Sequence, residues 1–431
     1  MNRRTRVLTG MALVAATAAA LTGCSGDSSG ESDNTLTLWH YEGADSAMGK
    51  AWDEAIKVFE EETGATVDFE EKGFEQIRST ASQVLNSNEA PDILEYAKGN
   101  GTAGLLASQG LLTDISDAVD EYGWDDKLAP SLQTTARYDD EGVMGDGPWY
   151  GVPNYGEYVT VYYNKDMFAA QGITVPTTAD EFEAALQTFT DAGITPLAEA
   201  AQEYPLGQLW YQLALSQADR DWVNDYQLYD NPVDWQGEAL TNATDTVKDW
   251  VDKGYISQDA SGLKAEDAGL EFINGEAPIF VSGSWWYGRF TSDITTFDWD
   301  IFEYPGSELN LGSAGNMWVV PASAKNPELA YKFIDITMRP EIQAILGNNG
   351  GLPVAANIDD ITDAKSKVLI DQFNTINERD GLAFYPDWPT PTFYDELNGE
   401  LQNLINGSSD TSAVLTTLGE DYDSYVEDFR K

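Results

Sequence analysis

Cysteine is nearly absent: the 431-residue chain has one, Cys24. That excludes an intrachain disulfide framework and any cysteine-based metal cluster. Histidine is as scarce, with His40 alone. Zinc hydrolysis therefore lacks its His-Glu-x-x-His, and a Ser-His-Asp triad would have to use His40 with no Gly-x-Ser-x-Gly elbow nearby. Basic residues are few, 24 Lys and Arg against 73 Asp and Glu, for a formal net charge of −49. So acidic a body repels polyphosphates and anionic head groups, so no nucleic-acid partner is expected. Long apolar runs are missing too. The single one, residues 7–21, falls short of the roughly 20 residues that a permanent membrane helix needs. No cofactor and no metal site is expected. The acidic turn Tyr138-Asp139-Asp140-Glu141-Gly142, with Asp146 nearby, lacks the spacing of a recognised calcium loop and reads as solvated.

What is present begins with an export pattern. Arg3, Arg4 and Arg6 form a basic start, residues 7–20 are rich in Ala, Val and Leu, and Leu21-Thr22-Gly23 places small residues before Cys24. This is a signal-peptide arrangement, and it resembles a bacterial lipobox. Residues 1–23 are then a lipoprotein signal peptide and Cys24 the lipidated first residue of the exported chain. Residues 24–34 have almost no apolar side chain and read as a flexible tether. A multiply acylated cysteine holds a protein stably at a membrane, each buried methylene contributing about 0.8 kcal/mol.

The remaining length suits two lobes better than one core. Residues 36–39 form a β-rich run, and Met48, Trp52, Ile56 and Phe59 then recur as one face of a helix that Thr63-Gly64 stops. Residues 66–69 read as a strand, residues 75–85 as a helix and residues 91–96 as the next strand. That alternation points to a largely parallel α/β sheet. The pattern restarts after Gly151-Val152-Pro153 with a strand over residues 158–163. Thr178 and Glu181 have capping-box spacing, and Asn326 before Pro327 and Glu328 has the form of a helix N-cap. Trp210 and Tyr211, on a helix over residues 206–215, read as core.

Several segments together resemble one family. Trp149-Tyr150-Gly151-Val152-Pro153 is followed by Tyr162-Tyr163-Asn164-Lys165-Asp166-Met167-Phe168; Pro176-Thr177-Thr178-Ala179-Asp180-Glu181-Phe182 comes next. Then follow Phe272-Ile273-Asn274-Gly275-Glu276-Ala277-Pro278 with Gly283-Ser284-Trp285-Trp286, the run from Ala322 to Phe333, and Gly350-Gly351-Leu352-Pro353-Val354. In this order they resemble the extracellular solute-binding proteins of bacterial ABC importers, the group that includes the maltose-binding protein. The resemblance implies an α/β, two-lobed periplasmic-binding-protein-like fold, its discontinuous lobes joined by hinge segments around a central cleft. It places residues 35–148 and 310–348 in an N-terminal lobe and residues 149–309 and 349–431 in a C-terminal lobe, closing on ligand by hinge motion. It also implies a permease as partner, a monomeric binding protein, and a position on the outer face of the cytoplasmic membrane.

A sugar asks for aromatic rings against its C–H faces and for carboxylates and amides against its hydroxyls, because an unpaired buried polar group costs about 1–3 kcal/mol. Loops at strand ends supply such sets: His40 and Glu42, Glu95, Asn154, Tyr155 and Glu157. Further along come Trp285, Trp286 and Arg289, then Asn316, then Tyr385, Asp387 and Trp388. These are the candidate ligand-binding residues. His40 could equally be a hydrogen-bonded structural residue. The aromatic content tilts the ligand toward an oligosaccharide, while the scarcity of Arg weakens a free amino acid. A secreted glycoside hydrolase is the main rival, but among 73 acidic residues no spacing singles out the two carboxylates it needs. A surface lectin-like module without a transporter and a binding protein for a non-sugar solute are further rivals. No catalytic residue is assigned.

Overall fold

The computed structural model describes residues 34–427. The expected signal peptide, Cys24 and nearly all of the tether lie outside the described residues. The described residues form one compact unit. Its strands are β1 (Thr35–His40), β2 (Thr66–Glu71), β3 (Ile93–Tyr96), β4 (Arg137–Tyr138), β5 (Met144–Trp149), β6 (Val152–Pro153), β7 (Tyr155–Asn164), β8 (Leu197–Ala198), β9 (Ile279–Gly283), β10 (Trp299–Phe302), β11 (Gly312–Ala314), β12 (Met317–Val319) and β13 (Leu352–Pro353).

Two large sheets organise the fold. The first runs β2-β1-β3-β12-β6. Its first three strands are parallel, and β12 returns antiparallel between β3 and β6. The helix Ala47–Thr63 makes the crossover from β1 to β2. Ser46 Oγ caps its start by accepting from the Gly49 N–H at 2.9 Å, and Gly64 ends it in the left-handed region at φ 66°, where a side chain would be strained. Its buried face carries Trp52, set edge-on to Trp318 of β12 at 5.7 Å. The helices Pro327–Thr337 and Pro340–Asn348 pack against it.

The second sheet is built on β7, whose ten residues are all buried. β9, β10, β11 and β13 all pair antiparallel with it, and β8 runs parallel to β9. The expected largely parallel sheet therefore holds for β1 to β3 but not here. The crossover logic fails because β7 is joined to its neighbours by long excursions that return in the opposite sense. Tyr162 of β7 anchors an aromatic core with Phe290 at 4.9 Å and Trp299 at 6.0 Å. The chain changes sheets three times: at Asn154, between β6 and β7; at Gly315–Asn316, between β11 and β12; and between β12 and β13.

Two local expectations shift in detail. Thr178 does cap the helix Ala179–Asp191 through the Glu181 N–H, but the Glu181 carboxylate reaches the Thr177 N–H and hydroxyl. Asn326 precedes the helix Pro327–Thr337 without a side-chain cap. Its amide donates instead to the Thr35 carbonyl at 2.9 Å. Asp92 takes over locally, accepting from the backbone N–H groups of Lys325 and Asn326 and from Thr37. One buried carboxylate thereby ties the start of that helix to β1.

Candidate ligand-binding site

The changeover points bring the ends of both sheets to one cavity of about 220 Å³. From the first sheet come Tyr41 and Glu42, just past β1, and Ala97 and Lys98, just past β3. From the second come Tyr155 and Glu157 on β7, with Trp285 just past β9. Asn316 enters from the return changeover, and Tyr385, Asp387 and Trp388 from a loop before the helix Phe393–Ile405. Phe74, Tyr204, Gln208 and Tyr394 complete the lining.

A chain of five polar side chains crosses the cavity wall. Lys98 Nζ pairs with the Glu157 carboxylate and donates to Asn316 Oδ1 at 3.2 Å. Asn316 Nδ2 donates to the Tyr155 hydroxyl at 3.0 Å, which points at Glu42 Oε1 at 3.4 Å. The Lys98 ammonium also lies 5.4 Å from the Tyr385 ring centre and 5.3 Å from that of Trp388, within cation–π range.

The aromatic wall is held from behind. Trp285 Nε1 donates to the Tyr204 hydroxyl at 3.2 Å, the rings meeting edge-on. At Gly283 any Cβ would run into the Trp285 ring, so the absence of a side chain there makes room for it. Gln227 Nε2 donates to the Tyr385 carbonyl at 2.7 Å, Tyr226 to the Pro386 carbonyl at 2.9 Å, and Gly101 N–H to the Trp388 carbonyl at 2.8 Å. Phe384 takes a positive φ of 62°, a strained geometry for a bulky residue that turns Tyr385 inward from this clamped loop.

Burial sets the electrostatics. It pushes the Glu42 carboxyl up to about 7, against hydrogen bonds from Ser46 and Tyr155, and Asp387 up to about 6. Glu157 is raised as well, burial outweighing the Lys98 charge beside it. These carboxyls therefore carry protons at higher pH than exposed ones do.

Of the expected residues, Glu42, Tyr155, Glu157, Trp285, Asn316, Tyr385, Asp387 and Trp388 meet at this cavity. The others do not line it. His40 is buried, stacked on Phe69 at 4.2 Å, with Nδ1 accepting from the Glu42 N–H at 3.2 Å; burial lowers it to about 4. It shapes the Glu42 turn from beneath. Glu95 points from β3 into the interior, where neither carboxylate oxygen meets a donor in hydrogen-bonding geometry. The Tyr41 backbone N–H is a neighbour rather than a full partner, and burial with Glu42 nearby holds the Glu95 carboxyl well above the usual range. Asn154 is buried at the changeover itself, its carbonyl accepting from Gln343 at 2.6 Å. Trp286 is buried off the cavity, stacking on Phe290 at 5.5 Å in the core beside the second sheet. Arg289 is on the surface, bidentate to Glu266 at 2.6 and 2.8 Å.

Sequence reading missed Tyr41, Phe74, Ala97, Lys98, Tyr204, Gln208 and Tyr394. Two signals were available. Lys98 follows a strand end already marked by Glu95, and Tyr204 and Gln208 are four apart, on one helix face. Trp210 and Tyr211, on the same helix, are fully buried in the core as expected. In the acidic turn, Asp139 closes its own loop by accepting from the Glu141 and Val143 N–H groups.

The sequence profile of the bacterial extracellular solute-binding protein family matches residues 54–371. The xylose/arabinose-binding protein of Haloferax volcanii is 25% identical over 78% of this chain and 72% of its own length. A maltooligosaccharide ABC transporter solute-binding lipoprotein of Streptococcus pneumoniae is 24% identical, over 74% of this chain and 72% of its own. Among solved structures, a chitin oligosaccharide binding protein superposes with a TM-score of 0.78 at 23% identity, covering 91% of this chain and 99% of that one. With a profile match spanning well over half its length, the chain belongs to the bacterial extracellular solute-binding protein family.

Proposed function

We propose that this protein captures a carbohydrate in the cavity between its two sheets and delivers it to an ABC permease. The observation that carries the reading is the composition of the wall. Trp285, Tyr385 and Trp388 offer ring faces, while Glu42, Glu157, Asp387, Gln208 and Asn316 offer carboxylates and amides. Ring faces suit sugar C–H surfaces and planar polar groups suit hydroxyls. The relatives named for xylose/arabinose and maltooligosaccharide binding support it. Such a solute-binding protein does no chemistry on its ligand.

The mechanism is closure. The segments at Asn154 and Gly315–Asn316 act as hinges between a lobe built on the first sheet and a lobe built on the second. Ligand contacts from both lobes favour the closed form, since a ligand shifts the balance only by its differential affinity for the two states. The permease recognises the closed form and reopens it. The protein works as a monomer, tethered by an acylated Cys24 on the outer face of the cytoplasmic membrane.

A thermal-shift screen of the intact protein against mono- and oligosaccharides, amino acids and polyamines tests this. A ligand that binds only the folded state raises the melting temperature. A rise with one sugar series, the sugar recovered unhydrolysed, is expected. A rise only with amino acids or polyamines, or hydrolysis of the bound sugar, would overturn the reading.

A further inference from the structure

The cavity is short of positive charge. Its lining holds the carboxyls of Glu42, Glu157 and Asp387, with Lys98 as the one basic residue among them. Behind the wall lies Glu95, 0% exposed and without a hydrogen-bonded donor on either oxygen. Lys98 is committed to Glu157 and Asn316. Gln208, 4% exposed, lines the cavity with no hydrogen-bond partner on Oε1. These groups accept, and the unpartnered donors of the lining, the hydroxyls of Tyr41 and Tyr385, are neutral. A buried carboxylate without a counter-charge is costly, and a neutral sugar brings hydroxyls but no charge.

We propose that the saccharide accepted by this cavity carries a free, protonated amino group, seated against Glu42 with Glu95 behind it. The inference rests on the carbohydrate reading and narrows it to amino sugars in their unacetylated form. Glu42 is the place for the ammonium because its own donors, Ser46 at 3.3 Å and Tyr155 at 3.4 Å, are long. An ammonium gives three donors at one point. The adjoining wall already shows how a primary ammonium is held here: Lys98 lies between carboxylate, amide oxygen and the rings of Tyr385 and Trp388. An N-acetyl group in the same position removes the charge and leaves one N–H donor of the three, and a uronic acid adds a fifth carboxylate.

The test is titration calorimetry of the intact protein with glucose, galactose and mannose and their 2-amino and 2-acetamido counterparts. Monomers and their α-1,4 and β-1,4 dimers are compared, with spermidine as the non-sugar amine. The 2-amino form is expected to bind about tenfold tighter than its 2-hydroxy and 2-acetamido partners, as one charge-assisted contact would give. In Glu42→Gln that preference is expected to vanish, while the melting temperature reports that the fold is kept. A 2-hydroxy or 2-acetamido sugar binding as tightly as the 2-amino form would overturn this inference and leave the carbohydrate reading standing. Tightest binding of spermidine, or no saccharide binding at all, would remove both. An amine preference unchanged in Glu42→Gln would overturn the placement at Glu42.

Discussion

Lys98 and Glu157 form an ion pair with both side chains buried, joining the end of β3 in the first sheet to β7 in the second. Truncating one partner strands the other away from water. Lys98→Ala is expected to cost about 3–5 kcal/mol of stability, read by urea denaturation. The double variant Lys98→Ala/Glu157→Ala should lose less than the two single losses together. Additive losses would mean that the pair is not coupled.

Trp285 and Trp286 are adjacent in sequence and opposite in role. Trp285→Ala should weaken ligand binding about tenfold, for loss of a ring face, with little change in melting temperature. Trp286→Ala should instead destabilise the second lobe by about 3–5 kcal/mol, because its ring packs on Phe290 and Phe280. Calorimetry and thermal melts on the two variants would show the split, and equal effects on binding would refute it.

Gly283 tests the wall without touching ligand-facing atoms. Gly283→Ala should push the Trp285 ring out of place and weaken binding, at a stability cost of about 1–3 kcal/mol. Tryptophan fluorescence and ligand titration should shift together; a shift in neither would mean that the ring finds another berth.

Stability should rise on mild acidification. Glu42 titrates at about 7 in the fold against 4.5 when exposed, and Asp387 at about 6 against 3.8. Between those values the folded state holds the extra protons, so these groups destabilise the fold as pH climbs from about 4 to 7 and the loss levels off above 7. His40 works in the opposite sense: it stays neutral to about 4 in the fold against 6.5 unfolded, so its contribution is lost as pH falls through that interval. The paired surface carboxylates Glu62 and Asp298, held low by Arg339 and Lys165, are lost only in stronger acid. Urea midpoints of the ligand-free protein should therefore increase from pH 8 to pH 6. Glu42→Gln should flatten that slope, and a midpoint that falls over the range would contradict the assignment.

Much of this architecture was legible in the sequence. The spacing of Met48, Trp52 and Phe59 with Gly64 fixes a helix, and eight of the expected side chains meet at the cavity. What escaped was direction. Composition marks Trp285-Trp286 as an aromatic pair, yet only the three-dimensional turn after β9 decides which ring faces inward. His40 and Glu95 occupy the right strand ends but alternate to the wrong side of them, a half-period error inherent to strands. Lys98 was passed over because a lone lysine carries no pattern; its meaning comes from Glu157, 59 residues away. The antiparallel second sheet was missed because strand order depends on long connections, not on local periodicity.

The lining of the cavity is gathered from the whole span of the chain, from Tyr41 and Glu42 near one end of the described residues to Tyr385 and Trp388 near the other. Contacts that distant form late, after much loop-closure entropy has been spent. A nascent molecule has no complete ligand pocket until the segment from Tyr385 to Tyr394 has arrived and docked. Binding competence thus comes after the sheets: a chain clipped before Tyr385 carries every strand of both sheets and still lacks the wall of Tyr385, Asp387 and Trp388.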